Sequence, residues 1–495
     1  MSSNDLKPAA NIKNNPKIMK AWALYDWANS VYSLVITSTI FPIYYSILTT
    51  KSEKSELVAE TDRWIQVPVR NMITIFGKEY QPDAIYGYSL TISFLIVVLL
   101  SPFLSSLADT IGNKKSFLQF FCYLGATSCM GLAMFTGMDT VFLGLLFSIT
   151  ASVGFWGSLV FYNSFLPDIA TPDRQDALSA RGYVYGYIGS VILVVICLVL
   201  IQVFAKDAEQ AKIYTRVSFL ITGSWWFGFS QYTFKHLPRF GNIKDQLPKD
   251  LVLLNYKNIF NAHAEQGGVW VVLKDNIKFY IDIAKQSFRE LFKVGKTLFK
   301  DRNLKFFLSS FFFYSVGMQT IFLMATLFGK SEINLDQEKL ILTLLVIQIE
   351  AIIGAVVFSR LSRKIGNKNV ISIAIVLWIV ACLSAYFLNK ENPNVEYQFY
   401  AIAGIIGLVM GGLQAMSRST YSKLLPENSM DNTTFFSFYD VLEKIAIIIG
   451  TFIFATMIEK YHNMRFSALS MSVFFAIGLI LIRFLQVKVS EKNEE

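Results

Sequence analysis

Apolar residues gather in twelve runs, each near the length of about 20 residues that a spanning helix needs, with polar links between them. The runs cover approximately 22–47, 84–108, 116–136, 140–166, 182–204, 214–235, 305–328, 339–360, 369–388, 398–422, 434–458 and 466–487. This pattern predicts an all-α polytopic membrane protein with twelve transmembrane helices. Two long connections interrupt it, 51–83 and 236–304. The predicted organisation is a short segment 1–21, a six-helix bundle 22–235 carrying the loop 51–83, a linker 236–304, a second six-helix bundle 305–487 and a tail 488–495. In the first connection WIQVPVRNMITIFGKEY alternates and predicts a small β-hairpin, with a plain loop as the alternative. In the second, Ile277, Tyr280, Ile281, Ala284, Phe288, Leu291, Phe292 and Leu298 share one helical face over 277–299, which predicts an interfacial helix or, alternatively, a partner-binding one.

Composition agrees with a membrane protein. The chain is 53% hydrophobic and 16% charged, where a soluble protein carries about 25% charged residues. Its net charge of +9 does not point to nucleic acid, because the basic residues are scattered and the aromatics lie in apolar runs. From Arg239 to Arg302, twelve basic and seven acidic residues leave a net +5, which suits anionic membrane lipid. Lys7, Lys13, Lys17 and Lys20 before the first run, Lys114 and Lys115 after the second, and Arg363, Lys364 and Lys368 after the eighth put both termini in the cytoplasm. The expected location is the plasma (inner) membrane, with the vacuolar membrane as the alternative. The first run is too long for a signal peptide and lacks a cleavage site, so it is expected to remain as a helix. Cys122, Cys129, Cys197 and Cys382 lie in apolar runs and read as buried thiols. No nucleotide loop, zinc spacing or nucleophile–base set is apparent, so no enzyme, cofactor or metal site is expected. His236, His263 and His462 lie outside the runs, which excludes a histidine relay within the membrane.

The chain repeats itself. Leu107-Ala108-Asp109-Thr110-Ile111-Gly112-Asn113-Lys114-Lys115 matches Leu361-Ser362-Arg363-Lys364-Ile365-Gly366-Asn367-Lys368-Asn369 at an offset of 361 − 107 = 254. Tyr162-Asn163-Ser164-Phe165-Leu166-Pro167-Asp168 matches Tyr421-Ser422-Lys423-Leu424-Leu425-Pro426-Glu427 at 421 − 162 = 259. Two pairs with nearly one offset imply two homologous halves of six spans, related by an axis along the membrane normal. Transporters built this way bind solute near the midplane between the halves.

Asp109, Gly112, Asn113, Lys114 and Lys115 resemble the signature turn of the major facilitator superfamily. The resemblance implies that Asp109 packs near the N-terminus of helix 11 and helps hold the outward-facing state. More narrowly, the chain resembles the family of the vacuolar amino-acid effluxer associated with autophagy and its bacterial relatives. The residues that carry this are Trp22 to Ser30 (WALYDWANS), Phe161 to Pro167 (FYNSFLP), Ser179 to Gly182 with Gly186 to Gly189, and Gly411 to Ser419 (GGLQAMSRS). Where that family often has an acid before the glycine of helix 7, this chain reads Tyr314-Ser315-Val316-Gly317. The resemblance implies a transporter that exports a small polar solute, amino acids foremost, with or without protons; a monomer is expected.

Polar residues inside the runs are the candidates for its chemistry, since charge within the membrane is costly and generally functional. Glu350, near the middle of the eighth run, reads as a solute or proton site or as half of a structural pair; Gln348 points elsewhere and supports it. Asp26 and Asn29 share a helix face, and Asp26 reads equally as ligand or as cytoplasmic gate. Tyr25 and Tyr32 are expected to line the cavity, and Trp22 and Trp27 to anchor the interface. Asp440 and Lys444 are expected to pair at i,i+4, with Glu443 deeper. Arg418 is the natural partner of Asp26, Asp440 or Glu443, and Asp109, Arg181, Arg418, Asp440 and Lys444 make up the expected gate and inter-bundle ion pairs. Tyr162, Asn163, Gln319 and Gln414 add hydrogen-bonding groups suited to a zwitterion or polyol. Two rival readings remain: proton-coupled uptake of a sugar, nucleoside or peptide, and a non-transporting membrane sensor or scaffold.

Overall fold

The structure, a computed structural model, describes residues 12–58, 63–111, 113–239, 289, 292–333, 335–389, 392–426, 431–461 and 464–486. Among them are twelve long helices. In the first half these are α1 (Pro16–Thr49), α2 (Pro82–Ile111), α3 (Lys114–Gly131), α4 (Val141–Ser164), α5 (Pro172–Gln202) and α6 (Ala208–His236). In the second half they are α7 (Arg302–Ile333), α8 (Gln337–Ile365), α9 (Asn367–Tyr386), α10 (Val395–Leu424), α11 (Asn432–Tyr461) and α12 (Met464–Arg483). Length and composition alone make ten of them membrane spans; α6 and α11 complete the two bundles.

α1 starts earlier than its apolar run because Asn15 caps it, accepting from the backbone N–H of Lys17 and Ile18, and Pro16 fits the first turn. Its middle, Tyr32–Ile40, is π-helical, and Ser38 donates to the carbonyl of Ser33, five residues back. The widened turn shifts the side-chain register between the two ends of the helix.

The packing repeats with the sequence. Within each half α1–α5, α1–α6, α2–α4, α3–α4 and α3–α6 have the counterparts α7–α11, α7–α12, α8–α10, α9–α10 and α9–α12. Between halves, α2 packs on α11 as α8 packs on α5, and α4 packs on α11 as α10 packs on α5. Each half centres on one apolar cluster, with α5 lending Ala180 and Tyr187 to the second-half cluster and α8 lending Leu344 to the first. This is the major facilitator fold.

The first and last described residues, Ile12 and Gln486, lie on one side, called here the termini side. Asn14 N–H donates to Ile169 O at 2.8 Å, and Lys368 Nζ donates to Leu485 O at 2.7 Å. On the other side the long connection is built of two hairpins: β1 (Thr50–Val58) with β2 (Arg63–Arg70), and β3 (Ile73–Ile75) with β4 (Lys78–Tyr80). Strands form as expected, but WIQVPVR pairs upstream with β1, so there are two hairpins where one was predicted. The β3–β4 turn is the two-residue kind with both φ positive, 49° at Phe76 and 78° at Gly77. Of the amphipathic helix expected over 277–299, most lies outside the described residues. Residues 292–300 are helical, Leu298 is buried, and the Phe299 ring meets Phe438 of α11 edge-on at 6.1 Å.

Candidate functional site

Between the halves lies a cavity of about 200 Å³, walled by α1, α2, α4, α5, α7, α8, α10 and α11. Such a volume suits a small solute, since pockets for drug-sized ligands run about 300–1,000 Å³. The π-helical stretch of α1 supplies part of the wall through Tyr32, Ser33 and Thr37.

Its floor, toward the termini side, is an ion pair between halves. Asp26 Oδ2 accepts from Arg418 Nη1 at 3.3 Å and from Tyr162 OH at 2.8 Å. The arginine is 2% exposed, and every edge of its guanidinium is used. Nε donates to Ser179 Oγ at 2.9 Å, Nη2 to Ser179 O at 2.8 Å and Nη1 to Asn163 Oδ1 at 3.2 Å. Its plane also lies over Trp22, Tyr162 and Tyr183, 4.8, 5.5 and 4.2 Å from the ring centroids. An α10 cation is thus seated in a socket made of α1, α4 and α5. Gly182 leaves room for it: an added Cβ would strike the Asp26 carboxylate and lie 3.0 Å from Arg418 Nη2 and from Tyr162 OH. Beside the socket Tyr187 OH donates to Gln414 Oε1 at 2.7 Å, again across the halves.

The opposite wall carries a second charged group. Lys444 Nζ donates to Asp440 Oδ1 at 2.9 Å and Glu443 Oε2 at 3.1 Å, and Gln319 Nε2 donates to Glu443 Oε1 at 2.8 Å. Lys444 is fully buried and stands 3.7 Å from the ring centroid of Trp156 on α4. That cation–π contact joins the halves. Asp440 Oδ2, buried on the cavity wall, has no partner.

Of the residues singled out from sequence, Asp26, Tyr32, Asn163, Gln319, Gln348, Gln414, Arg418, Asp440 and Glu443 line this cavity. Tyr162 stands behind Asp26, and Asn29 is fully buried next to it, off the cavity wall. Glu350 is a correction: Gln348 faces the cavity, and Glu350, two residues and roughly 200° further round the helix, packs its side chain against Gly404 and Gly407 of α10. Arg181 is exposed on α5, turned away from the gate, because its neighbours Ser179 and Gly182 occupy the face toward Arg418. Asp440 and Lys444 pair within α11, so they are not an ion pair between bundles. Trp22 is no interface anchor; it is fully buried, stacked on Tyr162 at 4.5 Å. Tyr25 belongs to the first-half core.

Nearer the termini side the halves meet through two further polar latches. Asp109 accepts from Thr433 N at 3.1 Å, Thr434 N at 2.7 Å and Thr434 Oγ1 at 2.8 Å, which caps α11. Lys114 of the same turn donates to Ser164 O at 2.9 Å and pairs with Asp168, while Lys115 donates to Leu237 O at 2.8 Å. Asn113 caps α3 by accepting from Ser116 N; Gly112 lies outside the described residues. The second-half turn uses the reverse polarity. There the acid sits on α5: Asp176 accepts from Asn367 Nδ2 at 2.9 Å, Ser362 Oγ at 3.3 Å and Lys423 Nζ at 2.5 Å. Sequence reading missed Asp176, Ser179, Lys423 and Trp156. Asp176 sat four positions beyond the helix start, in a stretch read as a link, and only its partner in the repeated turn would have revealed it.

No group of His, Cys, Asp and Glu suited to a metal occurs among the described residues. A family profile described as "Vacuole effluxer Atg22 like" matches residues 14–495. Among curated proteins, the chain is 29% identical to the uncharacterized MFS-type transporter YxiO of Bacillus subtilis, covering 97% of each. It is 24% identical to Autophagy-related protein 22 of Saccharomyces cerevisiae, over 98% of this chain and 94% of that one. Similar solved structures include the E. coli fucose:proton symporter FucP, with a TM-score of 0.60 at 13% identity over 95% of this chain and 98% of that one. The proton:xylose symporter XylE reaches a TM-score of 0.65 at 12% identity, covering 95% of each.

Proposed function

Since the chain belongs to the Atg22-like vacuole effluxer family and is a membrane transporter of the major facilitator type, we propose that it carries small zwitterionic solutes, amino acids foremost, by alternating access. The observation behind this reading is one cavity lined by Arg418 with Asp26 and by Asp440 with Glu443, three carboxylates that share the two cations Arg418 and Lys444. A solute carboxylate at Arg418 competes with Asp26, and a solute ammonium meets Glu443 and the free oxygen of Asp440. Loosening Asp26 from Arg418 releases the bond that joins α1 to α10, so occupancy and opening are coupled. With Asp26, Asp440 and Glu443 against Arg418 and Lys444, the cavity holds one negative charge in excess. A proton or the solute ammonium balances it, which suits export in exchange for protons. The termini are cytoplasmic in this reading, and the closed side is the inner one.

The test is counterflow in reconstituted vesicles against a panel of amino acids, sugars and nucleosides, with and without a pH gradient. Competition by amino acids, enhanced by the gradient, is the expected result. Competition by sugars or nucleosides alone, or no flux for any member, would overturn the proposal.

A further inference from the structure

The linker enters α7 through a short helix, residues 292–300, and only Asp301 separates the two. One face of this helix is docked. Val294 and Leu298 pack into the second-half cluster, a Cβ on Gly295 would lie 2.8 Å from the Phe438 ring, and Phe299 meets the same ring edge-on. Phe438 stands six residues into α11 (438 − 432 = 6), which is about 9 Å from its end at 1.5 Å per residue. It also falls inside the apolar run 434–458. The short helix therefore lies against the flank of the bundle at the depth where lipid begins.

Its other faces differ in chemistry. Turning away from Gly295 at about 100° per residue, Phe292 and Phe299 come first, and they are 71% and 37% exposed. Lys293, Lys296 and Lys300 follow on the side opposite Leu298, at the i, i+3, i+7 spacing that makes one stripe, and all three are exposed. None of them is in an ion pair among the described residues. Arg289, helical and exposed four positions before Lys293, extends the stripe. The neighbouring acid, Asp301, is engaged in capping α7, where it accepts from Leu304 N at 2.8 Å. Exposed aromatic rings are costly in water, and free cations are costly in hydrocarbon. The headgroup boundary of a leaflet, with acyl chains on one side and phosphates on the other, suits both at once.

We propose that this helix binds anionic phospholipid, with Phe292 and Phe299 in the acyl boundary and Lys293, Lys296 and Lys300 on the headgroup phosphates. The helix is joined to α11 at Phe438, next to Ser437, whose hydroxyl lies 2.8 Å from Ser101 Oγ of α2 across the closed interface. When the second half rocks, the helix must rise or sink with it. Lipid that holds the helix at its present depth therefore favours the closed arrangement. The linker helix is a sensor of leaflet charge that acts on the termini-side gate. It lies outside the central cavity and does not depend on which solute that cavity moves.

The test uses the full chain in nanodiscs of phosphatidylcholine, with and without phosphatidylglycerol, and a maleimide reporter at S437C. Ser437 is fully buried at the α2–α11 contact, so it reacts when the halves part. The four native cysteines are buried, and the background is read in protein without S437C. Phosphatidylglycerol is expected to slow labelling roughly threefold, and the effect to vanish in K293Q/K296Q/K300Q. Those side chains are exposed, so the variant keeps its fold. A bimane label at F292C, in protein without S437C, reads depth: nitroxide on the lipid acyl chain is expected to quench it and aqueous iodide to leave it bright. Labelling that ignores phosphatidylglycerol, or slowing that survives in K293Q/K296Q/K300Q, overturns the proposal. So does a bimane quenched by iodide and untouched by the nitroxide lipid, which would mean that the stripe faces water, as on a helix that binds an acidic protein partner.

Discussion

At the scale of residues, Arg418 decides how the halves are joined. Removing one partner of a buried ion pair costs about 3–5 kcal/mol, chiefly because the other charge is left alone. R418Q is therefore expected to abolish counterflow and to lower thermal stability markedly. D26N/R418Q removes both charges, so most of the stability should return while transport stays below a tenth of the parent's. Thermal unfolding and counterflow on the same preparations check this; transport that recovers together with stability would make the pair a structural bond only. A second contrast separates two carboxylates that look alike in sequence. Glu443 lies on the cavity wall beside Gln319 and Lys444, and Glu350 packs against α10. E443Q should lose the response of flux to a pH gradient, while E350Q should keep flux within about twofold, given that changes away from the site usually cost little. A loss in E350Q with E443Q unaffected would reverse the assignment.

At the scale of elements, the N-terminus of α11 depends on a residue from the other half. Asp109 accepts two backbone N–H groups and one hydroxyl there, and a carboxylate at that end also complements the helix dipole. Losing such a cap costs about 0.5–2 kcal/mol. D109A is expected to lower the midpoint of thermal unfolding by a few degrees and to speed labelling of S437C, with D109N in between; an unchanged midpoint and unchanged labelling would refute the capping role. The long helices themselves were legible because apolar runs of spanning length carry a strong signal. The repeated turns were legible because glycine, asparagine and lysine recur at one offset. What stayed hidden was rotation about a helix axis. Nothing in YSLVITSTI marks a π-helical stretch, so which face of α1 meets the cavity could not be read from a 3.6-residue period. The same ambiguity exchanged Glu350 for Gln348 and turned Trp22 from an expected anchor into the floor of the arginine socket.

At the scale of the whole molecule, the two halves are related in packing but not in charge. The first-half turn offers the acid Asp109 to backbone donors of α11, and the second-half turn offers Asn367 and Ser362 to the acid Asp176 of α5. The two latches share no side chain, and each half centres on one main apolar cluster. If the halves move as rigid bodies, both latches close in a single step, and their contributions to the closure free energy add. Fold-changes in opening then multiply. Should D109A speed S437C labelling fivefold and D176A fourfold, the double variant is expected near twentyfold, at about 1.4 kcal/mol per factor of ten. Latches that frayed locally would behave otherwise: D176A would leave Ser437 on α11 unaffected, and the double variant would match D109A alone. Labelling rates of the three variants against the parent distinguish the two outcomes, and the multiplicative one is what alternating access between two rigid halves requires.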